Sequence, residues 1–583
     1  MTRRHIWYAL LLATIAGLAF CSLQLARIRI YQVDECQNIY MARVFATGQA
    51  AEFFTNSSLF LFGPLSWLTR NATGSAELFT SARLLFLSGF WLNLFLLAAI
   101  ASRKLLSLPG LIALTAAATL APLWDYGFEI RHDNLVLTGV LLIWWTVRVK
   151  PLGLYSYALA GIVTVMLLFT AVKTVVYALP LSFAILAFPP PDFKRPRWQL
   201  GLVWLGGAVL ATAVIRLGYG TDGAWENYLS VFRRVTTLSA SSTTGDGGNR
   251  FLPWSTLARL LAQSPLLVAL TTAACYAVTT DLVRRRRNAL NWEGNLPELL
   301  LMLGALAALC ANPTPFPYNL LHFVPYAFLL SFSYARTLWK TLAERSSLWP
   351  VAGMVIVVVH LVPFCVASFR HLDRPNIRQR QLMMLAEEFT DPVKDPVYDA
   401  IGMVPTRRSI HFQWYLHSLN IRGVVNTPGS RVREMLAARP AAVFIPSYRT
   451  SWLPPEDHEF ISQRYVPLAD DFWVLGTVLP AGGGNFEIFH PGRYLIDTLP
   501  RSGIIDTNKP NQITRPAAGD KVNLISTLNG KPVTNGPVEL AVGNHHLEVP
   551  GDLKVAVVWL GPQFDSPPPI TPGDQRILFL NWY

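Results

Sequence analysis

Cysteine is scarce in this 583-residue chain. Cys21, Cys36, Cys275, Cys310 and Cys365 are all there is, with no Cys-x-x-Cys pair and no even spacing. That pattern argues against a thiolate zinc site and a disulfide framework. Four of the five lie in or beside apolar runs, where cysteine behaves as a small hydrophobe. Charge is scarce too: 15% of residues are Asp, Glu, Lys or Arg, against about a quarter in soluble domains. No glycine-rich loop of nucleotide-binding spacing is present, and His411, His417, His458, His490, His545 and His546 show no metal-ligand spacing. The net charge of +13 would suit nucleic acid. The cations fall in short clusters between apolar runs, which argues against nucleic acid as a partner.

What the chain has in abundance is hydrophobic residues, 52% of the total. A membrane-spanning helix needs about 20 of them in a row. The first such run, Ile6 to Ala26, follows Arg3 and Arg4. It reads as a span and not a cleaved signal, since no small-residue cleavage site precedes Arg27 and many spans follow. Further runs begin near Leu84, Leu108, Leu135, Leu154, Val175, Leu200, Leu257, Leu296, Leu320 and Trp349, about eleven spans by hydropathy. Arg103-Lys104, Arg148-Lys150, Lys194-Arg195-Arg197, Arg284 to Arg287 and Lys340 with Arg345 fall in alternate loops. With Arg3-Arg4 they mark the cytoplasmic side. An odd number of spans then puts everything after about residue 369 outside, which agrees with the charge pattern. The expected location is a bacterial inner membrane.

Beyond Phe369 the composition becomes that of a soluble domain. Leu436 to Pro446 and Pro455 to Gly476 each read as helix followed by strand, an α/β alternation. From about Asn511 the chain turns to short strands punctuated by Gly and Pro. The expected fold is mainly α: a polytopic membrane helix bundle over residues 1–370, then a soluble α/β domain over 371–505 and a small β module over 506–583.

Four features carry chemistry. Asp34 and Glu35 are adjacent acids just after the first span, at the start of a helical pattern (Ile39-Tyr40, Ala42-Arg43) that Gly48 would end. Acids at a helix N-terminus also simply satisfy the macrodipole. The second external loop, WDYGFEIRHDNL, packs Asp125, Glu129, Arg131, His132 and Asp133 between apolar spans. Charges at that depth are costly and mark sites, although Arg131 as a headgroup anchor and Asp133 as a helix cap are the structural alternatives. Lys173 stands alone between apolar runs, either snorkelling or offering a point charge to phosphate. Tyr318 and His322 are four apart, on one face of a helix expected to start near Tyr318. All four features share one side of the membrane, as a site for a phosphorylated lipid would.

In order along residues 1–370, these pieces resemble the GT-C glycosyltransferase superfamily, and within it the aminoarabinose transferases and protein O-mannosyltransferases. Asp34-Glu35 with Tyr40, Ala42-Arg43 and Gly48 resembles the first-loop signature. Arg83-Leu84 is similar to the Arg-Leu of the second helix. Arg131-His132-Asp133-Asn134-Leu135 matches the Arg-x-Asp-x-Leu element of the second external loop. Lys173 with Pro180, and Pro317-Tyr318 through His322 to Pro325, resemble two later motifs.

The resemblance implies an enzyme that takes a sugar from a polyprenyl-phosphate donor and passes it to an extracytoplasmic acceptor with inversion. Asp34 would then be the base, and Glu35 would orient the acceptor or hold a metal. Arg131 and Lys173, with His322, Tyr318 and Arg83, would face the donor phosphate, while His132, Asp133 and Arg43 would position the substrates. The implied partners are the lipid-linked donor, membrane lipids and the acceptor: a glycolipid, a polysaccharide or a protein. No cofactor is firmly implied, and a divalent metal stays open. The glycine-rich stretch within 219–253 reads either as a segment folding over a substrate or as a connector. Asn56-Ser57-Ser58 and Asn71-Ala72-Thr73 match a glycosylation pattern and read as chance in a bacterial chain. A lipid or sugar transporter or flippase also fits many spans with charges. It predicts inverted repeats, and no internal symmetry is visible. A non-catalytic lipid-binding scaffold is the third reading.

Overall fold

The structure is a computed structural model, and it describes residues 3–46, 59–171, 174–190, 195–218, 253–285, 296–311, 316–345, 349–408, 431–498, 525–534, 536–551, 554–565 and 578–579. Lys173, Gly48, Asn56 to Ser58, His411, His417 and residues 219–252 lie outside the described residues. The chain divides into two compact units. One comprises residues 1–29, 54–68 and 80–375, the other residues 30–53, 69–79 and 376–583.

The first unit is helical. Its helices are α1 (Arg3–Ile28), with α2 (Val33–Ala46) following in the other unit, then α3 (Leu59–Asn71), α4 (Ser75–Ser102), α5 (Leu108–Ala118), α6 (Ala121–Tyr126), α7 (His132–Arg148), α8 (Leu154–Thr170), α9 (Val175–Ala187) and α10 (Arg197–Gly218). There follow α11 (Pro253–Gln263), α12 (Pro265–Arg285), α13 (Leu296–Ala311), α14 (Val324–Arg345) and α15 (Trp349–Leu372). Every expected span start falls on one of these helices or on the short 3-10 helix Pro317–His322. Among the described residues, five are long and apolar enough to cross a membrane: α1, α4, α10, α12 and α15. Leu108–Ala118, Leu154–Thr170, Tyr177–Ala187 and Leu296–Cys310 are shorter apolar helices.

Several of these helices carry their large side chains outward. On α1 Trp7 and Phe20 are exposed, and on α15 Met354, Val355, Val357 and Val358 are too. An apolar surface of that extent is stable only against lipid, so the chain is a multi-pass membrane protein. Helix contacts inside the unit rely on small residues. A Cβ on Gly161 of α8 would lie 2.0 Å from the Trp204 carbonyl oxygen, and one on Gly207 of α10 would lie 2.2 Å from that of Ala158. The two backbones therefore touch directly, as membrane helices with Gly and Ala at the seam do. Arg148, in the last turn of α7, forms a buried ion pair with Glu298 in the first turn of α13, each charge on the helix end that favours it.

Two expected spans are interrupted. The run from Leu257 is two helices, α11 and α12, parted at Ser264-Pro265, because Pro265 has no N–H to continue the ladder. The run from Leu320 opens as the 3-10 helix, and α14 begins only after it. Pro317 starts the 3-10 turn. Pro325, again lacking an N–H, prevents that turn from merging with the helix behind it.

Among the described residues the second unit contains α2, α16 (Ile377–Phe389), α17 (Val432–Ala438), α18 (Pro455–Arg464) and eleven strands. β1 (Val397–Tyr398) and β2 (Val443–Phe444) are parallel, joined through α17. The remaining strands are β3 (Tyr465–Ala469), β4 (Phe472–Leu479), β5 (Gly483–Ile488), β6 (Gly492–Thr498), β7 (Ile525–Leu528), β8 (Lys531–Thr534), β9 (Gly536–Leu540), β10 (Gly543–Glu548) and β11 (Val555–Trp559), and all of their pairings are antiparallel. One sheet runs β1-β2-β4-β11-β6-β9 with β3 beside β4, and the other runs β5-β10-β7-β8. The expected tail strands are present, and they are shared between both sheets: β11 lies between β4 and β6, and β10 pairs with β5. β11, Val-Ala-Val-Val-Trp, is buried along its whole length, as a central strand covered on both faces must be. Phe389 of α16 packs on Phe472, Trp559 and Phe564.

Candidate active site

In the second unit, α2 starts where the sequence places it, with Asp34 and Glu35 in its first turn. Gln32 stands just ahead of the helix, and its backbone N–H donates to the Glu35 carboxylate at 2.8 Å. This is the acidic half of a capping box, Gln-x-x-Glu, closing one of the donors that a helix start leaves open. Glu35 is fully buried, while Asp34 is half-buried. Arg43 lies half-buried in the last turn of the same helix. Tyr31 just upstream is buried against Phe79, with ring centroids 4.5 Å apart, and its backbone N–H donates to the Gln379 side chain at 2.7 Å. The approach to α2 is thus fixed by the same unit that holds α16. Removing the Glu35 acceptor with Glu35→Ala is expected to cost about 1 kcal/mol, a fall of about 3 °C in the melting midpoint of the purified protein. Glu35→Gln, which can still accept that bond, is expected to melt with the wild type.

Elsewhere in this unit, the Glu387 carboxylate accepts from the backbone N–H and the hydroxyl of Ser75, at 2.7 and 2.6 Å. Asp399 accepts from the backbone N–H groups of Ile401 and Gly402 at 2.9 and 2.7 Å, and also from those of Met403 and Val404. Burial nonetheless holds its carboxyl above the ordinary aspartate range.

In the first unit, the entry to α7 gathers most of the remaining candidates. Arg131, not Asp133, occupies the N-cap position, and it makes no side-chain cap bond. Its Nε donates to Asp133 Oδ2 at 3.2 Å, and its guanidinium carbon lies over the Tyr318 ring, 3.5 Å from the centroid. Asp133 Oδ1 is 3.0 Å from His322 Nε2, and His132 approaches Oδ2 at 3.7 Å. The His322 ring stacks on Tyr177 at 4.3 Å. Tyr318 and His322 therefore do meet one segment, although the turn that carries them is 3-10 and not the expected α-helix. Asp133 is fully buried, and Arg131 and His322 nearly so. A carboxylate at that depth sets the directions of the guanidinium and the imidazole together. What remains is a rigid, desolvated cationic and aromatic wall, the kind of surface on which a phosphate's charge is worth most.

Arg83 sits in a different network. It is buried, and its Nη1 donates to the carbonyl of Arg29 at 2.5 Å, past the C-terminus of α1. Arg29 in turn reaches the Asp125 carbonyl and the Glu129 carboxylate at 2.5 and 2.6 Å. Asp125 binds Gln263 and His371, both at 2.7 Å. Asn134 closes the loop by donating to the carbonyl of Glu129 at 2.9 Å. The loop from residue 125 to 134 is thus clamped from both ends.

The sequence reading did not single out Arg29, Tyr177, Gln263 or His371. For Arg29 the available signal was the rule that a buried acid at membrane depth requires a nearby cation. Glu129 needed one. Among the described residues no group of three His, Cys, Asp or Glu side chains is placed to hold a metal ion.

No protein-family model matches the sequence, and no curated protein matches it. Solved structures similar in chain path include the following three. ArnT from Cupriavidus metallidurans bound to undecaprenyl phosphate is 12% identical at a TM-score of 0.49, covering 80% of this chain and 97% of that one. The Archaeoglobus fulgidus oligosaccharyltransferase tethered to an acceptor peptide is 12% identical at a TM-score of 0.45, covering 82% and 73%. AglB from Archaeoglobus fulgidus, in complex with an inhibitory peptide and a dolichol-phosphate, is 12% identical at 0.44, also covering 82% and 73%.

Proposed function

We propose that this protein is an integral-membrane glycosyltransferase that moves a sugar from a polyprenyl-phosphate donor to an extracytoplasmic acceptor, with inversion. The observation that carries the reading is the buried Arg131–Asp133–His322 cluster, stacked on Tyr318 and Tyr177 at the entry of α7. A desolvated guanidinium held by a carboxylate suits a lipid phosphate as leaving group, because the charge that develops as the bond breaks meets a donor already in place. Lys173 is assigned the same task as a point charge.

In the reaction the acceptor hydroxyl forms a bond to the anomeric carbon. Its proton goes to the Asp34 carboxylate, and the bond from that carbon to the phosphate oxygen breaks. The lipid phosphate leaves with the electron pair. The Asp34 assignment rests on the first-loop resemblance and on its partial exposure in the first turn of α2. Glu35 holds that turn through its bond to Gln32. His132 and Arg43 are assigned to substrate positioning, and Arg83 to holding the end of α1. The test is turnover. Purified protein in lipid nanodiscs is given a panel of polyprenyl-phosphate sugars, and release of lipid phosphate is measured with and without candidate acceptors.

A further inference from the structure

The second unit holds a cavity of about 180 Å³ that the glycosyl-transfer reading does not use. It lies between the end of α18, strands β4 and β5, and the start of β6, and its walls include Arg464, Thr477, Asn485, Glu487, Phe489 and Tyr494. That volume is below the 300 Å³ or so of a drug-sized pocket, so it suits a single small ring.

Arg464 is the unusual wall residue. Its guanidinium carbon lies over two rings, Phe460 and Phe489, 3.9 and 4.3 Å from their centroids. Its Nε is buried with no hydrogen-bond partner among the described residues. With two rings against the guanidinium carbon and Nε shut away from solvent, the terminal Nη groups are what is left for a ligand. Glu487 lines the same cavity, and among the described residues Arg464 forms no ion pair with it. Arg464 as a whole is half-buried, but leaving its buried Nε–H unmatched is costly, and contact with two rings restricts the orientations open to the side chain. That is a pre-organised site for an anion.

The second wall charge narrows the class. A phosphate ester would bring a second negative charge towards Glu487, whereas a carboxylate brings one and matches the Arg fork with two parallel bonds. Glu487, Asn485 and Thr477 then offer partners to ring hydroxyls. The geometry points to a binding site for a hydroxylated monocarboxylate, the chemical class of a uronic acid, formed by Arg464 against its two rings. The inference does not depend on the proposed transferase activity, because it is read by equilibrium binding.

The test is calorimetric titration of the full-length protein in nanodiscs with sodium glucuronate, glucose and inorganic phosphate. Glucuronate is expected to saturate, with glucose and phosphate at least about tenfold weaker. Arg464→Lys keeps the charge and loses the planar fork, and is expected to weaken glucuronate by about tenfold. Glu487→Gln is expected to narrow the gap between phosphate and glucuronate. Melting curves of both variants matching the wild type show that the unit is still folded. Equal glucuronate binding by wild type and Arg464→Lys, tighter binding of phosphate by the wild type, or no saturation by glucuronate would each overturn the proposal.

Discussion

Replacing Asp133 by alanine is expected to be the most damaging single change in the membrane unit. Asp133 is fully buried and serves Arg131 and His322 at once, 3.2 and 3.0 Å away. Without it a buried guanidinium loses its counter-charge, at a cost of about 3–5 kcal/mol. Asp133→Ala should therefore lower the melting midpoint sharply, and Asp133→Asn less, since the amide still offers one acceptor. Catalysis should fall further than stability in the Asn variant. Arg131 and His322 would then be held loosely, and misplacement on the scale of 1 Å costs about a hundredfold in rate. His322→Ala alone and in combination supplies the control. Coupling between positions 133 and 322 is expected at about 1–3 kcal/mol, as for residues in one network. Strict additivity of the two changes would mean that the Asp133–His322 contact does no work.

The second large effect concerns Asp34. The substitution Asp34→Asn keeps the size of a half-buried side chain in the first turn of α2, so the melting curve should stay with the wild type. Transfer should fall by about 10²–10⁴, the range general-base catalysis supplies. The contrast with Glu35 is the informative part. Glu35 is buried and bound to the Gln32 backbone. Its alanine variant should lose stability first, and the glutamine variant should lose little. Unchanged turnover in Asp34→Asn would remove that carboxylate from the chemistry without touching the phosphate cluster.

The helices were legible because the signals that specify them are local. A run of apolar residues flanked by basic clusters defines α1, α4, α10 and α15 from the text alone, and adjacent acids opening a helical pattern mark the start of α2. The motif at residues 131–135 was legible as charge at membrane depth. Tyr318 and His322 were grouped with it on one side of the membrane, but the pairwise contacts and Tyr177 were not legible. Tyr177 stacks on His322 from a helix far along the chain, and Arg29 reaches Glu129 across 100 residues. No local pattern encodes which buried ions will meet.

Pro265 carries no reading in the sequence, and Pro325 enters there only as the end of the late motif. In the structure Pro265 parts two helices and Pro325 keeps a 3-10 turn separate from α14, because each removes a backbone donor. Strands show the same division. Val555 to Trp559 was recognisable as a strand, but its position between β4 and β6 depends on pairing across intervals that the pattern of a single segment does not contain.

The most direct measurement is lipid-phosphate release by the purified wild-type protein and by Asp34→Asn, each given the same panel of polyprenyl-phosphate sugars with and without acceptor. The expected result is consumption of one donor by the wild type, with one lipid phosphate released per sugar transferred, and none above background by the variant. Saturable binding of the lipid with no donor consumed by the wild type would contradict glycosyl transfer and leave a lipid carrier or scaffold in its place.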